Sequence, residues 1–140
     1  MLKTRINADE IKAEVHRYWN NFQSKAADLL SEMYSPEATV FSSVSSRVEP
    51  GHLATARRRR EYFHPKGAIR ATVSNIDVIM LNDTAAVASY NFTFNASMVV
   101  AGLGQTKEED IRRGRATHVF HLDHDGKLKI VHEHFSVVAA

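Results

Sequence analysis

The segment GRATHVFHLDHDGKLKIVHEHFSVV, residues 114–138, decides the fold and indicates where a functional site lies. Two runs rich in β-branched and aromatic residues flank Asp125-Gly126, a dipeptide typical of the tight turn of a β-hairpin. The segment also holds five of the eight histidines of the chain, together with one arginine and one glutamate. A purely structural hairpin rarely collects so many titratable side chains, so the sequence indicates a polar site built on a sheet.

A two-residue turn at Asp125-Gly126 predicts how the two strands pair. With His124 opposite Lys127, His118 lies opposite Glu133. A carboxylate beside an imidazole favours the charged ring and apolar surroundings oppose it, a balance that can set a general base near neutral pH. The same face would carry the apolar residues Ala116, Phe120, Val131 and Phe135. A four-residue loop would instead place His118 opposite Val131, so the pairing depends on the turn.

The opposite face of the hairpin is also polar. It would carry Arg115, Thr117, His121, His132, His134 and Ser136. Imidazoles two residues apart on a strand point the same way, so His132 and His134 could form a metal-binding face with His121. No carboxylate completes that set, and we expect no metal ion. A cross-strand pair such as His118 and Glu133 is more often structural than catalytic, which leaves both interpretations open.

The N-terminal third of the chain has the pattern of a helix. Asn7 followed by Glu10 predicts an N-cap with a capping box. Apolar residues then recur at helical spacing from Ile11 to Met33, which predicts one long amphipathic helix. Because the residue before a proline avoids helical angles, we expect this helix to end at Ser35-Pro36. Its wide aromatic stripe needs a broad partner, for which a sheet is suited.

A second helix is predicted over residues 53–63, where Leu53 and Arg60 lie along one side. Residues 57–60 are four consecutive arginines, which point all round a helix, so most of them should be solvated. Arg60 lies on the apolar side and could reach the rim of a pocket. The net charge of only +2 gives no reason to expect nucleic-acid binding.

The remaining segments indicate strands. A short strand is predicted at 38–43, two long ones at 69–81 and 85–100, and a looser connection at 101–111 precedes the hairpin. In the 85–100 segment, Ser89, Asn91, Thr93 and Asn95 point one way and Tyr90, Phe92 and Phe94 the other. The order of helix, strand, helix and a four-strand meander predicts an α+β fold with helices on one face of a curved antiparallel sheet. Such a sheet can leave a pocket beside the helix.

The composition limits the functional classes. A chain of 140 residues with 44% hydrophobic residues suits a single domain, residues 1–140. There is no cysteine, which excludes disulfides, thiol nucleophiles and zinc–thiolate sites. No apolar run approaches the ~20 residues that span a bilayer, and the N-terminus lacks a signal-peptide apolar stretch. We therefore expect a cytoplasmic protein with no membrane partner.

The arrangement of these elements resembles the nuclear transport factor 2-like superfamily, in particular its SnoaL-like members and the calcium/calmodulin-dependent protein kinase II association domain. Three stretches carry the resemblance: residues 48–51, residues 71–90, and Asp125-Gly126-Lys127 followed by residues 131–136. It implies a cystatin-like cone, in which a strongly curved antiparallel sheet wraps around the long N-terminal helix and a pocket opens at one end. It also implies self-association as a homodimer or a larger homo-oligomer.

The resemblance gives a partial set of site residues, because functions within this superfamily diverge widely. Three pocket arginines of the kinase association domain correspond here to Asn91, His118 and Phe135, which implies that these positions face the pocket and that a small carboxylate is not bound in that manner. Strand alternation adds Glu133 to the pocket side. The aspartate–tyrosine arrangement of ketosteroid isomerases and the aspartate–arginine–aspartate set of epoxide hydrolases are not found.

The sequence thus predicts a small-molecule-binding domain for a partly apolar ligand, with acid–base chemistry of isomerase, cyclase or hydrolase type as an open question. His118 and Glu133 are the catalytic candidates, and no cofactor is expected. The predicted ligand-binding residues are Trp19, Tyr34, Asn91, Phe120, Phe135 and Arg60. The alternative is a non-catalytic self-association module.

Overall fold

The computed structural model describes residues 2–100, 105–108 and 112–138. Its helices are α1 (Ala8–Gln23), α2 (Ala27–Glu32) and α3 (Gly51–Tyr62). Its strands are β1 (Tyr34–Phe41), β2 (Glu49–Pro50), β3 (Ala68–Met80), β4 (Ala85–Val100), β5 (Gln105–Glu108), β6 (Arg112–Leu122) and β7 (Leu128–Val137). The predicted α+β class is confirmed. No helix among the described residues is long and apolar enough to cross a membrane.

The seven described strands form one curved sheet in the order β2-β1-β7-β6-β4-β3, and β5 pairs with β4. The pairs are antiparallel except for β1 and β7, which run parallel and join the first strand to the last. Helix α1 packs on the inner face of the sheet, and its buried side chains are Ile11, Val15, Tyr18, Trp19 and Phe22. The sheet therefore encloses the helix, as the sequence predicted.

The prediction of one unbroken N-terminal helix is wrong. The N-cap is as expected, with Asn7 Oδ1 accepting the Glu10 N–H at 2.9 Å. Helix α1 nevertheless ends at Gln23, and Lys25 adopts a left-handed conformation at φ 58° before α2 begins. The Lys25 ammonium donates to the carbonyls of His64 and Gly67, which hold the bend in place. The bend allows the apolar side chains after it to turn into the core.

The end of this helical region also differs from the prediction. The chain passes directly from α2 into β1 at Tyr34, so Pro36 lies inside a strand and does not terminate a helix. Strand β1 pairs with β2 on one side and β7 on the other, and its pairing with β7 is irregular between Tyr34 and Thr39. An irregularity of this kind tolerates a residue without an N–H, which explains how the proline is accommodated.

The β6–β7 hairpin has the predicted pairing at its centre and a different turn. His118 lies opposite Glu133, but Phe120 lies opposite Ile130 and not Val131. The loop runs from Asp123 to Lys127, with the Asp123 N–H donating to the Lys127 carbonyl at 2.8 Å. Next to the loop, the pairing of β6 with β7 is displaced by one residue from the predicted register. Val131 is an extra residue in β7, a β-bulge, and beyond it the pairing follows the predicted register again.

Strand β4 alternates as predicted, with Ser89 and Asn91 exposed and Tyr90 and Phe94 buried. The predicted loose connection at 101–111 contains β5, and the rest of it lies outside the described residues. The inner residues of β4 and β6 complete the core around α1. The outer face of the same strands is left in contact with solvent.

Candidate functional site

A buried ion pair between α3 and β7 lies at the centre of the polar residues inside the fold. Arg58 Nη1 is 2.8 Å from Glu133 Oε2, and the two residues are 5% and 0% exposed. Ions removed from water at this depth are tolerated only with a counter-charge and further hydrogen bonds. Burial alone would lower the pKa of Arg58, but the oxygens of Tyr18, Glu133 and Tyr34 raise it well above its usual value, so the guanidinium stays charged.

Two tyrosines complete the surroundings of this ion pair. The Tyr34 hydroxyl donates to Glu133 Oε1 at 2.7 Å and lies 3.0 Å from the Tyr18 hydroxyl. Arg58 Nη1 donates to both tyrosine oxygens at 3.0 Å. Burial raises the pKa of both phenols, which therefore remain neutral donors.

His118 reaches the same carboxylate from β6. Its Nδ1 is 3.3 Å from Glu133 Oε1, and its Nε2 is 2.6 Å from the Tyr90 hydroxyl. Trp19 Nε1 donates to the Tyr90 oxygen at 2.8 Å, which leaves the Tyr90 proton for Nε2 of the imidazole. The ring then carries its own proton on Nδ1, the nitrogen that faces Glu133. The predicted neighbours His118 and Glu133 are thus confirmed as neighbours.

The two opposing effects of the sequence analysis, a neighbouring carboxylate and apolar surroundings, do not balance at His118. Complete burial lowers the pKa of His118 to about 4, and the nearby Arg58 lowers it as well, against the opposing effect of Glu133. Glu133 cannot hold the imidazole in its charged form because Arg58 already balances its charge. His118 is consequently a neutral hydrogen-bonding residue over the physiological range.

A cleft that opens to solvent, with a cavity volume of about 80 Å³, lies beside Arg58. Its walls are mainly aromatic, and the lining residues are Trp19, Phe22, Ser42, Ser43, Val44, Arg57, Arg58, Glu61, Tyr62, Phe92, Phe94, Phe135 and Val137. The Arg58 guanidinium carbon lies 4.9 Å from the centre of the Phe135 ring. Arg58 Nη2 is buried and has no hydrogen-bond partner among the described residues.

One wall of the cleft depends on a glycine. Phe92 on β4 pairs with Gly114 on β6, and its ring lies over the glycine backbone. A Cβ at position 114 would come within 2.1 Å of the Phe92 ring. Phe92 stacks on Trp19 with ring centres 5.0 Å apart. Any larger residue at 114 would therefore force the Phe92 ring out of its present position in the cleft wall.

The mouth of the cleft carries a second group of charges. Arg57 Nη1 lies 2.6 Å from Glu49 Oε2, and Arg57 Nε lies 4.0 Å from Glu61 Oε1. The serines of the loop after β1 and the exposed Val44 lie at the same opening. The charged residues of an otherwise apolar cleft are thus contributed by α3.

The structure separates the predicted site residues into two groups. Trp19 and Phe135 line the cleft. Tyr34 belongs to the buried network together with the catalytic candidates His118 and Glu133, and none of these three lines the cleft. The network therefore lies behind the cleft wall, and Arg58 connects the two.

Three of the predicted ligand contacts are corrected. Phe120 is 1% exposed and stacks on His118 inside the core, away from the cleft. Asn91 is on the outer face of β4, where its Oδ1 accepts from Asn75 Nδ2 at 3.2 Å, because it alternates with the inward Tyr90. Arg60 is exposed on the solvent side of α3.

The buried arginine of α3 is Arg58, which the sequence interpretation missed. The buried positions of α3 are Gly51, Ala54, Thr55 and Arg58, the i, i+3, i+4, i+7 pattern of a packed helix face. Three of these four residues are small. The sequence analysis had taken the side of the helix with the apolar Leu53 as the packed one, but Leu53 is exposed. The spacing of the small residues was the signal that could have identified Arg58.

The histidines on the outer face do not form a metal site. His132 Nδ1 is hydrogen-bonded to Thr39 Oγ1 at 2.8 Å, and both His132 and His134 contact the Phe41 ring. No group of three potential metal ligands occurs within the described parts of the chain.

Comparisons with known proteins agree on the fold. The family model of the SnoaL-like domain matches residues 11–140. The CaMKII hub homology domain of Chlamydomonas reinhardtii is 21% identical with a TM-score of 0.71, covering 94% of this chain and 98% of that one. An NTF2-like protein from Rhodospirillum rubrum is 13% identical with a TM-score of 0.73 over 92% and 98% of the two chains.

The similar structures differ in function. The β subunit of benzoate 1,2-dioxygenase from Burkholderia mallei is 14% identical with a TM-score of 0.73, over 96% of this chain and 93% of that one. No curated protein sequence matches the chain. At these identities the likeness establishes the architecture and not an activity.

Breaking the Arg58–Glu133 pair should destabilise the fold strongly. Glu133→Gln leaves a buried guanidinium without its counter-charge, and we expect a loss of about 3–5 kcal/mol in the free energy of unfolding in urea. Arg58→Met should cost a similar amount, and the double variant should cost at least about 2 kcal/mol less than the two single losses together. The matched control is the exposed pair of Glu14 and Arg17, 2.8 Å apart, where Glu14→Gln should cost under about 0.5 kcal/mol. Strict additivity at Arg58 and Glu133 would contradict the interaction.

Stability should depend on pH through His118. Its native pKa of about 4 lies below the unfolded value of 6.5, so only the unfolded chain takes up this proton as the pH falls. The contribution is complete above pH 6.5 and is lost between 6.5 and 4, with about 2 kcal/mol lost by pH 5. His118→Gln should remove this part of the slope in urea unfolding at pH 7.5, 6 and 5, and the exposed-site control His134→Gln should keep it. An unchanged slope in His118→Gln would refute the assignment.

Proposed function

The chain belongs to the SnoaL-like domain family of the nuclear transport factor 2-like superfamily, and from that premise we propose that it binds a small, largely apolar molecule in the cleft beside α1 and α3. The cleft combines aromatic walls with a few polar groups at fixed positions, which is the usual composition of small-molecule sites. Members of this fold carry out different functions, so the proposal depends on the residues of this chain.

The single observation that carries the proposal is the free nitrogen of Arg58. Its Nη2 is buried, has no hydrogen-bond partner within the described residues and belongs to a side chain that lines the cleft. A buried charged donor that lacks an acceptor is costly, and native proteins rarely keep one without a purpose. An acceptor atom on a bound molecule would satisfy it.

The proposal assigns His118 and Glu133 a positioning role. Both are completely buried and neither lines the cleft, so they cannot touch a molecule bound there without a rearrangement of the core. Glu133 fixes Arg58 directly, and His118 contacts the remaining side of the same carboxylate. The function supported best is therefore binding, and acid–base catalysis by this pair is not part of it.

Ligand binding can be tested with a panel of small aromatic and alicyclic compounds. A compound that binds only the native form raises the melting temperature. It should also change the emission of Trp19, the only tryptophan of the sequence, because Trp19 lines the cleft. Gly114→Ala, which forces the Phe92 ring out of its present position in the cleft wall, should abolish both responses, and so should Val44→Trp at the mouth. Thr117→Ala on the outer face is the control and should keep both.

The result that would contradict the proposal is equally specific. Compounds that stabilise the wild type and both cleft variants to the same extent, without a change in Trp19 emission, would bind elsewhere on the protein. Circular dichroism of each variant separates a lost binding site from a lost fold.

Self-association is the second candidate function. An apolar row crosses the outer face of the sheet, where Ile79 pairs with Val87 and Val87 pairs with Val119. Ile79 is 56% exposed, although it belongs to a strand. Similar structures include the association domain of CaMKII from C. elegans, which is 15% identical with a TM-score of 0.66 over 91% and 93% of the chains. We propose that a second copy covers this row.

The self-association proposal predicts the effect of one charge on the outer face. Val87→Lys places an ammonium in the middle of the apolar row and should convert an oligomer to a monomer at micromolar concentration in sedimentation equilibrium. Ala13→Lys, on the exposed side of α1, is the matched control and should leave the mass unchanged. A wild-type protein that sediments as a monomer would refute this second function and leave ligand binding unaffected.

A further inference from the structure

The positive charge of Arg58 is already balanced before any ligand arrives. Glu133 lies 2.8 Å from it, while His118 and the tyrosines around the pair are neutral at pH 7. A second carboxylate brought to Nη2 would have to share one guanidinium with Glu133 in a region of low dielectric. Desolvation of that extra charge would not be compensated. A neutral oxygen acceptor meets no such cost.

The charges at the mouth act in the same direction. Arg57 faces two carboxylates, those of Glu49 and Glu61. Arg57, like Arg58, is therefore already balanced by carboxylates before a ligand arrives. An anion entering the cleft therefore finds no arginine without a counter-charge, whereas an uncharged molecule needs none.

The walls define the shape of the ligand. Phe92 stacks on Trp19 at 5.0 Å, and Phe135 meets Phe92 edge to face at 5.5 Å. The ring of Phe135 also lies beneath the Arg58 guanidinium. Flat aromatic surfaces on several sides, with one donor at the inner end, suit a planar apolar molecule that carries its oxygen at one end.

From this charge balance and these walls, we propose that the cleft selects uncharged, flat, apolar molecules with a single carbonyl oxygen that accepts a hydrogen bond from Arg58 Nη2, and rejects the corresponding carboxylates. The inference rests on the proposed ligand-binding function and adds the chemical class of the ligand. It differs from a site in which an arginine without a counter-charge recognises an anion.

Three probes of nearly the same shape test the chemical class: 2-acetylnaphthalene, 2-ethylnaphthalene and 2-naphthoate. Their affinities for the intact chain are measured by isothermal titration calorimetry at pH 7.5. The ketone should bind about tenfold or more tightly than the hydrocarbon, since a hydrogen bond to a charged donor contributes about that much. The naphthoate should bind about tenfold or more weakly than the ketone.

Two variants test the origin of the selectivity. Glu133→Gln removes the counter-charge of Arg58, so the ratio of naphthoate to ketone affinity should rise about tenfold or more. Because this variant can lose stability, Glu49→Gln at the mouth is the second, and it should raise the same ratio severalfold. Ser89→Gln on the exposed outer face is the control and should leave the ratio unchanged.

The outcomes distinguish the chemical class of the ligand from the location of the binding site. The ligand class would be overturned if the naphthoate bound as tightly as the ketone or more tightly. If Gly114→Ala then abolished binding of both probes, the cleft would still be the binding site. Failure of all three probes to bind, or binding that persists in Gly114→Ala, would overturn the flat-ligand inference and count against the cleft as the site. Ketone selectivity that neither carboxylate variant alters would overturn the charge-balance explanation.

Discussion

The ion pair of Arg58 and Glu133 is the interaction on which the other features of the interior depend. It joins α3 to the strand that closes the sheet between β1 and β6, two parts of the chain that are far apart in sequence. Burial lowers the pKa of the adjacent His118 imidazole, and the Arg58 charge lowers it further against the opposing effect of Glu133. The ion pair also fixes the position of Arg58 Nη2, the terminal guanidinium nitrogen that has no hydrogen-bond partner among the described residues. Removing either partner would therefore alter the fold, the protonation of the core and the cleft together.

Much of the fold follows from local patterns in the sequence. Alternation in β4 and in the hairpin separates inward from outward side chains, because successive residues of a strand point to opposite faces. For this reason His118 and Glu133 could be paired before the structure was known. The turn itself was misjudged, since a two-residue loop and a longer loop with a compensating bulge leave the same pairing at the centre of the hairpin.

The features that could not be predicted depend on distant contacts. The bend at Lys25 is held by carbonyls some forty residues later in the chain, and nothing in the local apolar pattern marks it. Arg58 stands among four identical residues, so residue type alone cannot distinguish the one that is buried. Arg58 is distinguished only by its spacing from the small residues of α3, which places it on the same buried face of the helix. The sequence therefore predicted a pocket beside the helix but did not identify Arg58 as the buried arginine.

The two faces of the sheet present different chemistry to their surroundings. The inner face combines aromatic rings with a charge pair and meets the cleft, and the outer face presents an apolar row beside hydroxyl and imidazole groups. Because alternate residues of the same strands form the two faces, each can change in sequence with little effect on the other. This independence suits the two proposed roles, ligand binding on the inner side and self-association through the outer face.

The polar groups around Glu133 all present protons to it. Trp19 can only donate, which commits the Tyr90 proton to Nε2 of His118 and leaves the imidazole proton on Nδ1, 3.3 Å from the carboxylate. Tyr34 donates a hydrogen bond to Oε1, and Arg58 faces Oε2 as its counter-ion. Position 133 must therefore hold a side chain that accepts hydrogen bonds and donates none. An amide of identical shape would bring its own N–H into a ring of donors, so natural variation at this position should be restricted to groups that carry no proton.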